Sequence, residues 1–234
     1  MSLATENVSY IRQNRILDPA DAANTHITIA GLGTVGSNAA MQLAKAGFKK
    51  FHLVDMDDIE PHNLPSQDFG ISDIGDNKAE ASAIRMHGIT DELRVTTQNW
   101  EIMGGEIFPP GVLISAVDSM EIRKALFECA IMDPLIELFI DFRMGGNYMR
   151  AWSFNPQDER RAEQYKQTLH SSAESAEAMC GGRNFAPVGA LCGAFATQMV
   201  TKHLRTGDHP PFHIDFDFDN FVLTTVGAKP LESD

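Results

Sequence analysis

Gly31, Gly33 and Gly36 carry the spacing Gly-x-Gly-x-x-Gly within Gly31-Leu32-Gly33-Thr34-Val35-Gly36, between an apolar run and a helix-patterned segment. Glycines so spaced permit a tight turn that brings phosphate oxygens against backbone N–H groups at a helix start, where unpaired donors and the helix dipole favour an anion. Asp55 ends the next apolar run, where a carboxylate accepts hydrogen bonds from ribose hydroxyls. Together they point to a nucleotide. The competing reading is structural: three glycines that let a helix lie close on a strand, and an aspartate exposed in a turn.

Such a turn needs a parallel sheet behind it. Strand-like runs at His26 to Ala30, Phe51 to Val54, Leu93 to Thr97 and Val112 to Val117 alternate with helical patterns from about Val35 to Ala46, Asn77 to His87 and Glu121 to Ile131. Leu135 to Asp141 reads as a strand buried on both faces. From Asn147 the pattern changes to a strand at Tyr148 to Phe154, a polar helix at Asp158 to Leu169, a loop and a helix at Val188 to Leu204. A hairpin of Phe212 to Asp219 and Phe221 to Val226 follows, with Phe212, Ile214, Phe216 and Phe218 expected inside and His213, Asp215 and Asp217 in solvent. The expected fold class is α/β, a Rossmann-like doubly wound, mostly parallel sheet continued by a C-terminal mixed or antiparallel extension. One domain is expected over residues 1–234: an arm at 1–25, a nucleotide-binding half at 26–145, and a crossover loop, helix and hairpin at 146–234.

At 234 residues and 43% hydrophobic content the chain can bury a substantial core, and 32 acidic against 19 basic side chains give a net charge of -13. That charge argues against nucleic acid and anionic membrane as partners. Met1 to Arg15 shows no apolar signal core, and the apolar stretch from Pro187 to Val200 contains Gln198 and is too short to span a bilayer, so a soluble cytoplasmic protein is expected. The three cysteines form no C-x-x-C pair, and no zinc is expected. Cys129 and Cys192 read as small buried hydrophobes. His203, His209 and His213 with Asp215 and Asp217 resemble a metal set only loosely, and strand alternation explains the last three of them better.

The residues after Asp55 narrow the nucleotide. Asp55-Met56-Asp57, Asn63-Leu64-Pro65-Ser66-Gln67, and then Gly75 and Lys78 at a helix start, resemble the ThiF/MoeB and ubiquitin-activating family. That family shows D-x-D, N-L-x-R-Q, and a glycine and lysine opening the next helix. The resemblance runs nearly end to end, since Tyr10-Ile11-Arg12-Gln13 is similar to its Y-x-R-Q, and Leu113 to Ser119 with Arg123 to its strand ending in aspartate before an arginine-bearing helix.

The resemblance implies ATP held by Gly31, Gly33, Gly36, Asp55, Asp57, Asn63, Gln67 and Lys78, Mg²⁺ supported by Asp118, and a homodimer in which Arg12 reaches the ATP of the opposite subunit. The implied activity is adenylation of a carboxylate, the C-terminal glycine of a ubiquitin-like or sulfur-carrier protein. Cys180, on the crossover loop with Arg183 near enough to favour a thiolate, is the implied site of a following thioester or persulfide. The catalytic set is then Arg12, Lys78, Asp118 and Cys180. Electrostatics agrees, because negative charge gathers on phosphoryl oxygens as pyrophosphate leaves, and fixed cations stabilise it.

One position departs: Ser66 stands where the family has arginine. Loss of one charged hydrogen bond to a developing charge costs on the order of 2–4 kcal/mol of transition-state stabilisation. Arg15 and Arg143 are candidates to supply the missing cation. The departure keeps open a catalytically reduced scaffold or regulatory dimer of the same fold. Two other readings are adenylation of a peptide, small-molecule or tRNA-borne carboxylate, and an NAD(P) oxidoreductase resting on the glycine motif and Asp55 alone.

Overall fold

The computed structural model describes residues 8–169, 185–207 and 209–227. In chain order the elements are α1 (Pro19–Asn24), β1 (His26–Ala30), α2 (Thr34–Ala46), β2 (Lys50–Val54), α3 (Lys78–His87), β3 (Arg94–Gln98), β4 (Gly111–Ser115), α4 (Met120–Met132), β5 (Ile136–Gly145), β6 (Tyr148–Phe154), α5 (Glu159–Lys166), α6 (Ala186–Thr206), β7 (His213–Asp217) and β8 (Val222–Val226). Short 3₁₀ turns at Pro61–Asn63 and Ile71–Asp73 lie between β2 and α3.

All eight strands form one sheet in the order β3-β2-β1-β4-β5-β6-β7-β8. Pairing is parallel from β3 through β5 and antiparallel from β5 through β8. This is the doubly wound sheet with an antiparallel extension that the residue pattern implies. Its order reverses between β1 and β4, which opens a crevice at the carboxyl ends of those two strands.

Both faces of the central parallel strands β1, β4 and β5 are covered, so these strands are largely apolar, whereas β3 at the sheet edge is polar and mostly exposed. On one face Ile27, Ile29, Leu53, Ile114 and Ile140 pack against Leu43 of α2, Met86 of α3 and Val200 of α6. On the other, Val54, Leu113 and Phe139 meet Phe127 of α4 and Tyr165 of α5. Among the described residues no helix is long and apolar enough to cross a membrane.

Three details differ from the pattern reading. β5 runs on to Gly145 because its end is zipped to β6, with Arg143 opposite Arg150 and Gly145 opposite Tyr148, so Arg143 is a strand residue. Phe212 precedes β7 and turns to the α4/α5 face, its ring 5.7 Å from that of Phe154, while Ile214 packs on the α2/α6 face. His213 is not solvated but stacks on Trp152 at 4.7 Å.

α6 lies directly on α2, with Gln42 donating to the Ala190 carbonyl at 2.8 Å. The approach depends on Gly189 and Gly193: a Cβ at 189 would stand 2.7 Å from the Thr34 carbonyl oxygen, and one at 193 would stand 2.9 Å from that of Asn38. Alanine normally improves a helix interior by about 1 kcal/mol over glycine. Gly189→Ala is expected to do the opposite, losing about 1–3 kcal/mol through overpacking, and a lowered urea midpoint at unchanged slope would show it.

Candidate nucleotide-binding site

Gly31 continues β1 into the turn with φ of +88°, and its N–H donates to the Val54 carbonyl at 2.8 Å. A side chain at Gly31 would strike the Ala116 backbone at 2.7 Å, and one at Gly36 would meet the Gly31 carbonyl oxygen at 1.8 Å. The turn therefore folds back on itself with no room for Cβ atoms, and Gly33 caps α2 without a side-chain bond. Gly36 lies inside α2, so it makes the turn possible rather than lining the site.

Asp55 stands beside this turn. One carboxylate oxygen accepts from the Leu32 N–H at 2.5 Å and the other from the Asp57 N–H at 2.9 Å. Burial raises its pKa, against the pull of those two N–H donors and of Lys78. The following loop is stitched to α3: Asn77 Nδ2 donates to the Asp55 and Asp57 carbonyls, and the Lys78 N–H donates to the Asp57 carbonyl at 2.9 Å. Lys78 is only 7% exposed and its ammonium donates to the Asp57 carboxylate at 2.8 Å. The D-x-D pattern thus divides its work: Asp55 holds the glycine turn and Asp57 fixes the lysine.

Asn63 and Gln67 are buried on the same side. Asn63 Oδ1 accepts from the Glu60 N–H at 2.8 Å. Gln67 Oε1 is buried and has no hydrogen-bond partner, the situation expected of a group that a ligand would satisfy. Ser66 turns away from the crevice, its hydroxyl 3.0 Å from that of Thr34 in the first turn of α2. Position 66 therefore contributes one member of a buried hydroxyl pair.

Gly31, Gly33, Asp55, Asp57, Asn63, Gln67, Lys78 and Asp118 all line one cavity of about 430 Å³. Asp118 follows β4 and is exposed in its wall. Among the described residues no group of three or more His, Cys, Asp or Glu could hold a metal ion. A divalent cation at Asp118 would take its other ligands from phosphate oxygens and water, which is the habit of Mg²⁺.

Arg12 is not at this cavity. Its neighbour Gln13 donates to the Ala46 carbonyl at 2.7 Å and Tyr10 lies against Gly47, so the arm is docked at the far end of α2, about 18 Å of helix from the glycine turn. Arg12 is exposed there, as is Arg15. Within one chain neither reaches the site. Cys180 and Arg183 lie outside the described residues.

The opposite wall holds features that the motifs did not reveal. Asp141, with no exposure, accepts from both Arg123 and Arg143, the latter at 2.9 Å. Arg123 also donates to the Val117 and Phe142 carbonyls, and burial lowers its pKa to about 10. Arg143 donates to the carbonyl and hydroxyl of Thr168 at 2.8 Å each and lies 4.2 Å from the centre of the Trp152 ring. It lines the cavity, so of the two candidate replacement cations only Arg143 is in place. The signal in the sequence was Asp141 itself, a carboxylate in a strand that reads as buried on both faces and so demands cationic partners. Removing that charge leaves two guanidiniums without their counter-charge, and Asp141→Asn is expected to cost about 3–5 kcal/mol, measured by urea unfolding against the parent.

The protein-family model described as the ThiF family matches residues 14–221. Among curated relatives, the tRNA threonylcarbamoyladenosine dehydratase of Escherichia coli (strain K12) is 35% identical over 115 residues, covering 44% of this chain and 41% of that protein. The NEDD8-activating enzyme E1 catalytic subunit of Caenorhabditis elegans is 33% identical over 105 residues, 43% of this chain and 24% of that one. The matched stretches thus span less than half of either relative. Among solved structures, Escherichia coli MccB with MccA superposes with a TM-score of 0.75 at 19% identity, covering 94% of this chain and 69% of that one. PaaA gives 0.69 at 16% identity, covering 96% and 85%. With its glycine turn, Asp55, Lys78 and Asp118 gathered at the crevice of a doubly wound sheet, and the family pattern matched over most of its length, the chain belongs to the ThiF family.

Proposed function

We propose that the chain is an ATP-dependent adenylating enzyme working as a homodimer, and that its acceptor is the C-terminal glycine carboxylate of a ubiquitin-like or sulfur-carrier protein. The observation that carries the reading is Lys78, a buried ammonium fixed by Asp57 in the same cavity as the glycine turn and Asp118. A hydride-transfer site has no use for a cation held there. Adenylation does: a carboxylate oxygen attacks the α-phosphorus, the bond to the pyrophosphate oxygen breaks, and an acyl-adenylate and pyrophosphate form. No proton moves, so the protein's part is to align the groups and to stabilise charge on phosphoryl oxygens.

Lys78 supplies that charge from the β2 side and Arg143 from the β5 side. Asp118 would hold Mg²⁺, which would supply Lewis-acid stabilisation of the charge on the phosphates. Arg12 serves a second copy, because its arm is docked too far from its own cavity. Residues 1–25, 26–145 and 146–234 act as a single adenylation domain. Cys180 then accepts the acyl group, its thiolate displacing AMP.

The relative from Caenorhabditis elegans is named as acting on NEDD8, which supports a ubiquitin-like acceptor. The dehydratase is named for a tRNA nucleoside, but a net charge of -13 opposes a polyanionic substrate here. The hydroxyl pair of Ser66 and Thr34 favours one second reading, a scaffold of the same fold with reduced chemistry.

ATP–pyrophosphate exchange tests the proposal, run with small proteins ending in glycine as acceptors. Lys78→Ala and Asp118→Ala are each expected to lower exchange on the order of 100-fold. ATP binding without exchange for any protein or peptide carboxylate would favour the scaffold instead. Arg12→Ala and Asp118→Ala, each inactive alone, should recover about a quarter of parental activity when mixed, because half of random dimers are mixed and each holds one intact site. A pH series adds a further check. Ribose needs Asp55 as a carboxylate and burial raises its pKa, so ATP affinity is full above the raised value and falls as pH drops through it. The decline should begin at higher pH than for an ordinary aspartate, and Asp55→Asn should abolish it.

A further inference from the structure

Trp100 is 53% exposed, whereas Trp152, the only other tryptophan, is 5% exposed in the core. A ring of this size normally buries most of its surface, yet Trp100 lies in the cavity wall. Its position is fixed from both sides. The Asp55 N–H donates to the Gln98 carbonyl at 3.0 Å, which ties the end of β3 to the ribose carboxylate. Two residues beyond Trp100, Ile102 is buried with Phe108 and Phe127. The short connection between those anchors must pass over the crevice beside Asp55.

Polar groups account for the rest of the nucleotide. The glycine turn and Lys78 meet phosphate, and Asp55 meets ribose. The remaining wall carries the apolar side chains of Met56, Trp100, Ile102, Val117 and Met120, with Glu101 and His62 as polar members. An aromatic base extending from a ribose at Asp55 has this surface to meet, and a half-exposed indole is the group able to stack on it.

We infer that Trp100 stacks on the nucleobase and sets the preference for a purine nucleotide. The inference rests on the reading of the cavity as an ATP site. The larger ring of a purine covers more of the indole than a pyrimidine does, so the preference for ATP over CTP comes from stacking area.

Intrinsic tryptophan fluorescence and calorimetry with ATP and CTP, each with Mg²⁺, test it on the parent, Trp100→Phe, Trp100→Ala and Trp152→Phe. ATP should quench emission in the parent and in Trp152→Phe but not in Trp100→Phe. By calorimetry, Trp100→Phe should stay within about threefold of parental ATP affinity, while Trp100→Ala should lose roughly tenfold for ATP and much less for CTP. Parental ATP affinity in Trp100→Ala would overturn this inference alone, whereas absence of nucleotide binding by the parent would overturn the ATP-site reading with it.

Discussion

A carboxylate sealed inside the sheet governs the geometry of the site. Asp141 on β5 has no exposure, so its charge has to be met by protein groups, and Arg123 and Arg143 are drawn inward to do so. Each arginine then carries the constraint outward. Arg123 ties α4 to the Val117 carbonyl, which fixes the backbone immediately before Asp118. Arg143 ties β5 to Thr168 at the end of α5. One buried charge thereby aligns four elements around the β4 side of the crevice.

The β2 side is organised by a different logic, in which backbone groups are the partners. Asp55 accepts one bond on each carboxylate oxygen, from the N–H groups of Leu32 and Asp57, and Asn77 and Lys78 bind the carbonyls of the loop that follows. The glycine turn and the start of α3 are therefore one connected unit. Lys78 presents its ammonium from a fixed stem, so little side-chain entropy is lost when an anion meets it.

Much of this was legible in the residues because it follows from local periodicity and spacing. The strands and helices through β6 fall where apolar runs alternate with helical patterns, and the glycine turn, Asp55 and Lys78 stand on the crevice to which their spacing assigns them. What the pattern missed depends on contacts between distant segments. In the Arg123–Asp141–Arg143 group Arg123 reaches Asp141 across 18 positions, and no motif announces Asp141 as its partner. The length of β5 was set by its pairing with β6, and the direction of Phe212 goes with its ring contact to Phe154. Ser66 was visible as a departure, but its hydroxyl contact with Thr34 of α2 was not.

The sheet ends on β8, whose five residues are all exposed, and among the described residues no strand pairs with its outer side. It carries Val222, Leu223 and Val226 but no charged side chain or proline to discourage a further strand. Colloidal stability then falls to long-range repulsion, which a net charge of -13 provides at neutral pH. That repulsion fades as the solution approaches the isoelectric point near 4.9 and is screened at high salt. Acidic, concentrated or strongly saline solutions are therefore the conditions in which this edge seeds edge-to-edge association.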